Sequence, residues 1–486
     1  MKTDAEWAAW LDDSDARRVT LYRMTANSGA GDFTRRLSNK HFGNAAAATP
    51  YQTTVSGGLK VTESISLSGQ ASLSAGDIEN FNPNGDLDSW LDDVWANKPF
   101  EVLAGDVTWA ESDFRQIFNG VQAEIGSKSR KALNIKIRDK FQRLNTPISE
   151  AKLGGSTPNK DALIPLCFGE CHNITPLLID PATLQYQVHD GPVEDIFDVR
   201  DNGRKVNATV NNATGKFTLA ATPVGAVTCS VLGDKPSGVY SDTISKLVQR
   251  IVMGYGKATD RFTSGDLDAA NLAAFESAHT QTVGLYVSDR MNVIDAIAQL
   301  AGSVGAQAVP SRAGLLRLIQ ISFPGTAAVD FPRSGQLDSS IQIVARSEVV
   351  AAVKIGYCRN YTPQPGLLTN IPAQHKDLYA TDWLSQTQTD SAVKAAYKLN
   401  DEPVQRNTCL MVGSDALAEA ARELGIRKVV RTTYRFEAPP TAMLYELGQT
   451  CRLFSNRFGL AAGKYGVITA LAPDWSNFHV TVEVTI

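Results

Sequence analysis

The sequence predicts a mainly β, multidomain protein with α+β insertions, built on two tube-like β-barrel or sandwich modules and peripheral α+β domains. Three observations carry this. Short runs of alternating apolar and polar residues recur along the chain. Turn residues separate them at close spacing, most clearly at Asp201-Asn202-Gly203. Helical periodicity is confined to a few segments between the runs.

Composition bounds the function classes. The 486 residues are 43% hydrophobic and 20% charged, which describes a folded globular chain and suggests about three domains. A formal net charge of −4 argues against a protein that grips nucleic-acid phosphates. No apolar run is long enough for a signal peptide or a spanning helix, so the expectation is folding in a cytoplasm without membrane insertion. Six scattered cysteines read as reduced thiols rather than a disulfide framework.

Four stretches follow from the patterning. In residues 1–150, Trp7, Trp10 and Leu11 share one face of a short helix, and "RVTLYRM" is a strand. The small, polar segment from Thr25 to Pro50 reads as a loop or arm that orders only on assembly. "GLKVTESISLSG" puts Leu59, Val61, Ile65 and Leu67 on one strand face, and "ALNIKIRD" repeats the pattern. Between them "GDLDSWLDDVWANKP" reads as a helix capped by Asp86, with Trp90, Leu91, Val94 and Trp95 as its stripe. The Gly- and Pro-rich run from Leu144 to Pro165 is a linker or surface loop.

Residues 151–242 form the first barrel-like module, a series of short strands. Residues 243–335 are α+β: a helix carrying Ile244, Leu247, Val248 and Ile251, and a second capped by Ser288 with Met291, Ile294, Ile297, Ala298 and Ala301 as its stripe. A hairpin turning at 310–314 follows. Residues 336–486 return to strands and form the second β-rich module, with a loop from 361 to 377 and a helix from Ser414 closed by Gly425. The last strand alternates Val480, Val482, Val484 and Ile486 against Thr481, Glu483 and Thr485.

Candidate chemistry concentrates in "LCFGECHNITPLLID", residues 166–180. Cys167, Cys171 and His172 are metal-ligand types, but no second cysteine pair accompanies them. On a flat strand Cys167 and Cys171 stand roughly 13 Å apart, at ~3.3 Å per residue, too far to share an ion without a bend at Gly169. Structural thiols are the preferred reading, with zinc or an iron–sulfur cluster as the minority alternative. Cys229, between Val227 and Val231, reads as a buried thiol. Asn80, Asn82, Asn84, Gly85, Asp86 and Asp88 imitate the start of a calcium loop, but its twelfth position is Leu91, and a turn is preferred. No nucleophile elbow, HExxH or complete phosphate loop is present.

Several phrases resemble a known family. "PLCFGECHNITPLLID", "YQVHDGPVEDIFDVRDNGRKV" and "GKFTLAATPVGAVTCSV" resemble the first barrel of tail hub proteins of long-tailed bacteriophages and related gene transfer agents. "GDLDSWLDDVWANKPFEVLAGD", "NVIDAIAQLAGSVGAQAVPSRAGLLRLIQI" and "LGQTCRLFSNRFGLAAGKYGVITAL" are similar to other parts of such hubs. The resemblance implies a structural, non-enzymatic protein of the virion tail tip, assembled in the bacterial cytoplasm. It implies a homotrimer in which two tube-like barrels per chain make a pseudo-sixfold ring on the tail tube. Implied partners are the distal tail ring protein, the tape-measure terminus and a central fibre or spike, with DNA passing through the lumen unbound. Some proteins of this wider group hold an iron–sulfur cluster; the ligand set here lacks an obvious fourth cysteine, and no cofactor is expected. The rival readings are a tail-associated enzyme, either a peptidoglycan hydrolase or a zinc hydrolase using Cys167, Cys171 and His172, and a carbohydrate-binding β module.

Overall fold

A computed structural model describes residues 2–43, 50–67, 71–323, 325–364, 373–399 and 402–486. Strands hold 40% of the residues and helices 21%, so the chain is mainly β, as the alternation predicts. It folds as two compact units: Met1–Gln142 with Val309–Ser347 and Arg431–Ile486, and Arg143–Ala308 with Glu348–Val430. These cut across the four sequence stretches, because sheet pairing joins distant strands. Ala470 pairs with Ser64, and Val329–Phe331 runs parallel to Cys451–Leu453.

In the first unit, strand Arg18–Asn27 pairs with Asp32–Ser38 and with Pro99–Asp106. The sheet continues through Arg115–Ser129 and Ala132–Asp139 to Ile78–Phe81. Residues 52–56 close it. Gln52–Thr53 pairs with Leu37–Ser38, while Val55 bridges Asn80 and the Phe81 N–H donates to the Thr54 carbonyl. The seven strands thus meet end to end, around a core that includes Tyr22, Met24, Phe100, Val102, Phe118 and Ile135. Helix Asp4–Asp12 begins in a Thr3–Glu6 capping box and buries Trp7, Trp10 and Leu11, the three residues that predict it.

Two expectations fail here. The segment expected to order only on assembly contains strand Asp32–Ser38, which is hydrogen-bonded to Arg18–Asn27. Gly29 and Gly31, at φ +86° and +142°, make the connecting turn, so a hairpin lies hidden in small polar residues. Residues 44–49 of the same segment lie outside the described residues. The expected helix near Trp90 is only a 3₁₀ turn, Asp88–Asp92. Trp90 and Trp95 are buried, but Leu91 and Val94 are 52% and 55% exposed. Local side-chain bonds win over helix formation. The Asn82 side-chain Oδ1 accepts from the Leu87 N–H at 3.0 Å, and the Trp95 Nε1–H donates to the Trp90 main-chain carbonyl at 2.7 Å. Asn82 is therefore a cap in a turn rather than a cation ligand.

The second sheet of this unit runs Val329–Phe331, Thr450–Leu453, Lys464–Asp474, His479–Thr485, Thr432–Ala438, Gln342–Arg346, with Val61–Ser64 and Ser72–Ala75 added on Lys464–Asp474. Val480, Val482 and Val484 are buried, as their alternation predicts. The strand around Val61 carries Glu63 on its buried face. Arg312 compensates it: its Nε lies 3.1 Å from the Glu63 carboxylate, and its terminal N–H groups donate to the Met443 and Tyr445 carbonyls. The predicted hairpin forms from Ala306–Pro310 and Leu316–Gln320.

The second unit holds the other β module. One sheet runs Arg204–Lys205, Val193–Asp201, Val227–Asp234, Leu166–Ile174, Gly284–Val287. The other runs Leu177–Asp180, Gln185–Gln187, Lys216–Leu219, Ala208–Asn211. One core, including Ile174, Tyr186, Val188, Ile196, Phe217 and Val231, joins their inner faces. The Asn202-Gly203 turn is present, with φ of +46° and +79°. Helix Ile244–Gly254 buries the predicted face. Helix Val293–Gly302 starts after Asn292 rather than Ser288 and buries Val293, Ala296, Ile297, Leu300 and Ala301, a face rotated from the predicted one. Helix Gly413–Arg427 runs through Gly425, with the Arg427–Glu423 pair at 2.8 Å supporting its last turn. The 361–377 loop gives way to helix Ala373–Ala380, and residues 365–372 lie outside the described residues.

Candidate functional site

Strand Leu166–Ile174, at the centre of the second unit's β module, carries all three sequence-predicted site residues. It bends at Gly169, where φ is +65°. A Cβ at Gly169 would lie 2.0 Å from the Val283 carbonyl oxygen, and one at Gly284 only 1.6 Å from that of Glu170. Glycine at these positions lets the strands close around the bend.

The bend overturns the flat-strand geometry. Cys167 and Cys171 are not held apart on an extended strand at ~3.3 Å per residue; their side chains pack into one core. Both join Cys229 in the apolar core. The Cys167 thiol donates to the Val188 carbonyl at 3.3 Å, and that of Cys171 to Phe168 at 3.7 Å. Burial pushes the Cys167 and Cys229 thiols well up, so both stay protonated. Zinc and iron–sulfur ligands are backed by polar outer-shell partners, whereas the core around these three thiols is apolar.

His172 follows Cys171 directly and stands on the other face of the strand. Its Nε2 is 2.7 Å from Glu170 Oε1, and its Nδ1 is 3.2 Å from Ser230 Oγ. The hydrogen bond from His172 holds the Glu170 carboxyl below the usual range. With Glu170 ionised, a neutral imidazole in the Nε2–H tautomer would leave Nδ1 to accept from the Ser230 hydroxyl. This is the order of an activated nucleophile. Ser230, however, is 4% exposed and lies mid-strand between Leu166–Ile174 and Val193–Asp201, not on a turn that would present it. The structure thus brings Cys167 and Cys171 together and separates His172 from them. Among the described residues, no three His, Cys, Asp or Glu side chains are arranged to hold a metal ion.

A second polar cluster gave no sequence signal. His189 is fully buried, and its Nδ1 accepts from the Cys167 N–H at 3.1 Å. Its Nε2 lies 3.2 Å from Asp234 Oδ1, and Arg250 Nε donates to Asp234 Oδ2 at 2.5 Å. Phe168 packs edge-on against both His189 and Tyr255. Burial opposes charge on Asp234, but the bonds from His189 and Arg250 outweigh it and hold the carboxyl below its usual range. The members come from a strand end, a second strand and helix Ile244–Gly254, so only the fold unites them. The cluster satisfies buried polar groups and pins that helix to the β module.

No protein-family model and no curated protein matches the sequence. Among solved structures, the chain has a likeness to the 43 kDa tail protein of prophage MuSo2 from Shewanella oneidensis. The two are 10% identical over 96% of this chain and 98% of that one, with a TM-score of 0.39. A tail protein from Neisseria meningitidis MC58 is 10% identical over 96% of each chain, with a TM-score of 0.36. A chain from the virion of a native gene transfer agent particle is 13% identical over 71% of this chain and 91% of that one, with a TM-score of 0.43. These are slight likenesses.

Proposed function

We propose that this chain is a structural hub of a phage tail tip or baseplate. Three copies close a ring that continues the tail tube, convert sixfold to threefold symmetry and anchor a central fibre or spike. The observation that supports this best is the presence of two separate β modules in one chain, the closed seven-stranded sheet of the first unit and the two-sheet module of the second. Three copies present six modules to a sixfold tube, the arrangement the sequence resemblance implies. The polar clusters of the second module agree with an architectural role, since they tie strands and a helix together around neutral thiols. The distal tail ring protein and the tape-measure terminus are the neighbours this reading assigns above the ring, and DNA passes its lumen unbound. Negative-stain imaging of the purified chain and of its parent particle tests the reading. Rings with threefold symmetry and an open centre, seated at a tube end in the particle, are expected; solitary molecules in both samples contradict it.

The Ser230–His172–Glu170 hydrogen-bond chain favours one second reading, a tail-associated hydrolase acting through Ser230. Covalent labelling of Ser230 by a fluorophosphonate, with clearing of a cell-wall suspension, would establish it. An unlabelled serine and an unchanged suspension remove it.

A further inference from the structure

The first unit leaves two exposed stretches of opposite charge without partners. In 81–94, Phe81, Leu91 and Val94 are each more than half exposed. Asp86 and Asp92 stand exposed beside them. Among the described residues neither carboxylate has a cation within ion-pair distance, whereas the neighbouring Asp93 is paired with Arg35 at 2.7 Å. The stretch is held in shape. Asn82 caps the Leu87 N–H, and the Val94 main chain exchanges hydrogen bonds of 2.8 and 3.0 Å with Asn27. The apolar side chains that sequence periodicity would bury on a helix are thus displayed outward by a firm turn.

The second stretch is the hairpin of Thr450–Leu453 and Lys464–Asp474 with its connecting loop. Phe458 is 39% and Tyr465 42% exposed. The Arg457 guanidinium lies 5.4 Å from the Phe458 ring centre, and that of Arg452 lies 5.4 Å from Tyr465 and 4.6 Å from Phe454. Arg452, Arg457 and Lys464 have no carboxylate within ion-pair distance among the described residues. Cations resting on aromatic faces make a flat, basic and apolar surface.

We propose that these surfaces meet between copies: the acidic, apolar turn 81–94 of one chain docks on the basic, aromatic hairpin 452–465 of the next. The occupant follows from complementarity. Each surface joins exposed apolar groups to unpaired charge of one sign, and the same chain carries the opposite sign in the same format. Both are pre-formed, which lowers the entropy lost on association, and the opposed charges set its register. Two different patches meeting head to tail make a heterologous contact, which generates a closed ring when its rotation closes. The inference rests on the ring reading and names the surface that builds the ring.

Charge exchange tests it. D86K/D92K and R457E/K464E are compared with wild type by sedimentation equilibrium over a range of concentrations at low and moderate salt, with circular dichroism confirming the fold. Each double variant is expected to weaken self-association at least tenfold, wild-type association is expected to fall with added salt, and the quadruple variant, D86K/D92K/R457E/K464E, is expected to restore it. A trimer that survives both reversals overturns this surface and leaves the ring reading standing. A wild type that stays monomeric throughout overturns both. If the reversals leave the mass unchanged while R457E/K464E abolishes single-stranded DNA binding, the hairpin is a nucleic-acid surface and the inference falls.

Discussion

Gly284 has no space for a side chain, since a methyl group there would overlap the Glu170 carbonyl oxygen. The G284A variant must therefore separate Gly284–Val287 from the central strand. Its expected loss is about 2–4 kcal/mol, in the range of severe packing and backbone changes. A shift of the urea midpoint at constant slope would show it. All six cysteines are buried, and burial raises the Cys358 and Cys409 thiols to about 11 and Cys451 to about 12. Ellman's reagent should find no reactive thiol in the native protein at pH 8 and six in denaturant; a fast-reacting native thiol would refute the packing described. Asp234 is stabilised as a carboxylate by His189 and Arg250, so its folded pKa lies below its unfolded value. That contribution is fully present above about pH 3.9 and is lost as pH falls through the folded value. The D234N variant should lose about 1–3 kcal/mol at pH 7, a figure discounted for the partial exposure of Arg250, and the gap to wild type should close in acid. None of this cluster is legible in the sequence, because positions 189, 234 and 250 share no period or motif. The thiols are legible as buried, but their packing into one core is not, since it depends on the positive φ of Gly169.

The strand Ala132–Asp139, the Asn202-Gly203 hairpin and the closing strand to Thr485 follow from alternation and turn chemistry alone. Elements are misjudged where side chains compete with the backbone for hydrogen bonds. The run from Asp86 to Lys98 has the spacing of a helix, yet Asn82 and the tryptophans take its backbone partners, and only a 3₁₀ turn forms. The N82A variant should therefore lose about 1–2 kcal/mol, as a helix cap does, because the Leu87 N–H and the Asp88 carboxylate lose their partner together. An unchanged urea midpoint would mean that the turn is held by Trp90 and Trp95 alone. The hairpin of Asp32–Ser38 escapes sequence reading for a different reason: Gly29 and Gly31 look like linker residues when they are in fact a tight turn.

For the whole molecule, the mainly β class is legible because patterning is local, whereas the stretch 336–486, expected as the second module, divides between the two units. The two interleaved units are not legible, because they depend on which distant strands pair: Ser64 with Ala470, and Phe331 with Leu453. The same limit applies to the candidate site, since the surroundings of the thiols and of helix Ile244–Gly254 depend on neighbours distant in sequence. The hub reading proposed above makes the modules architectural and the exposed charges a contact with another copy. Native mass spectrometry of the purified protein tests that most directly. A species of about three times 52.4 kDa, metal-free and with every thiol unmodified, is predicted; a 52.4 kDa species at all concentrations carrying one bound zinc would contradict it.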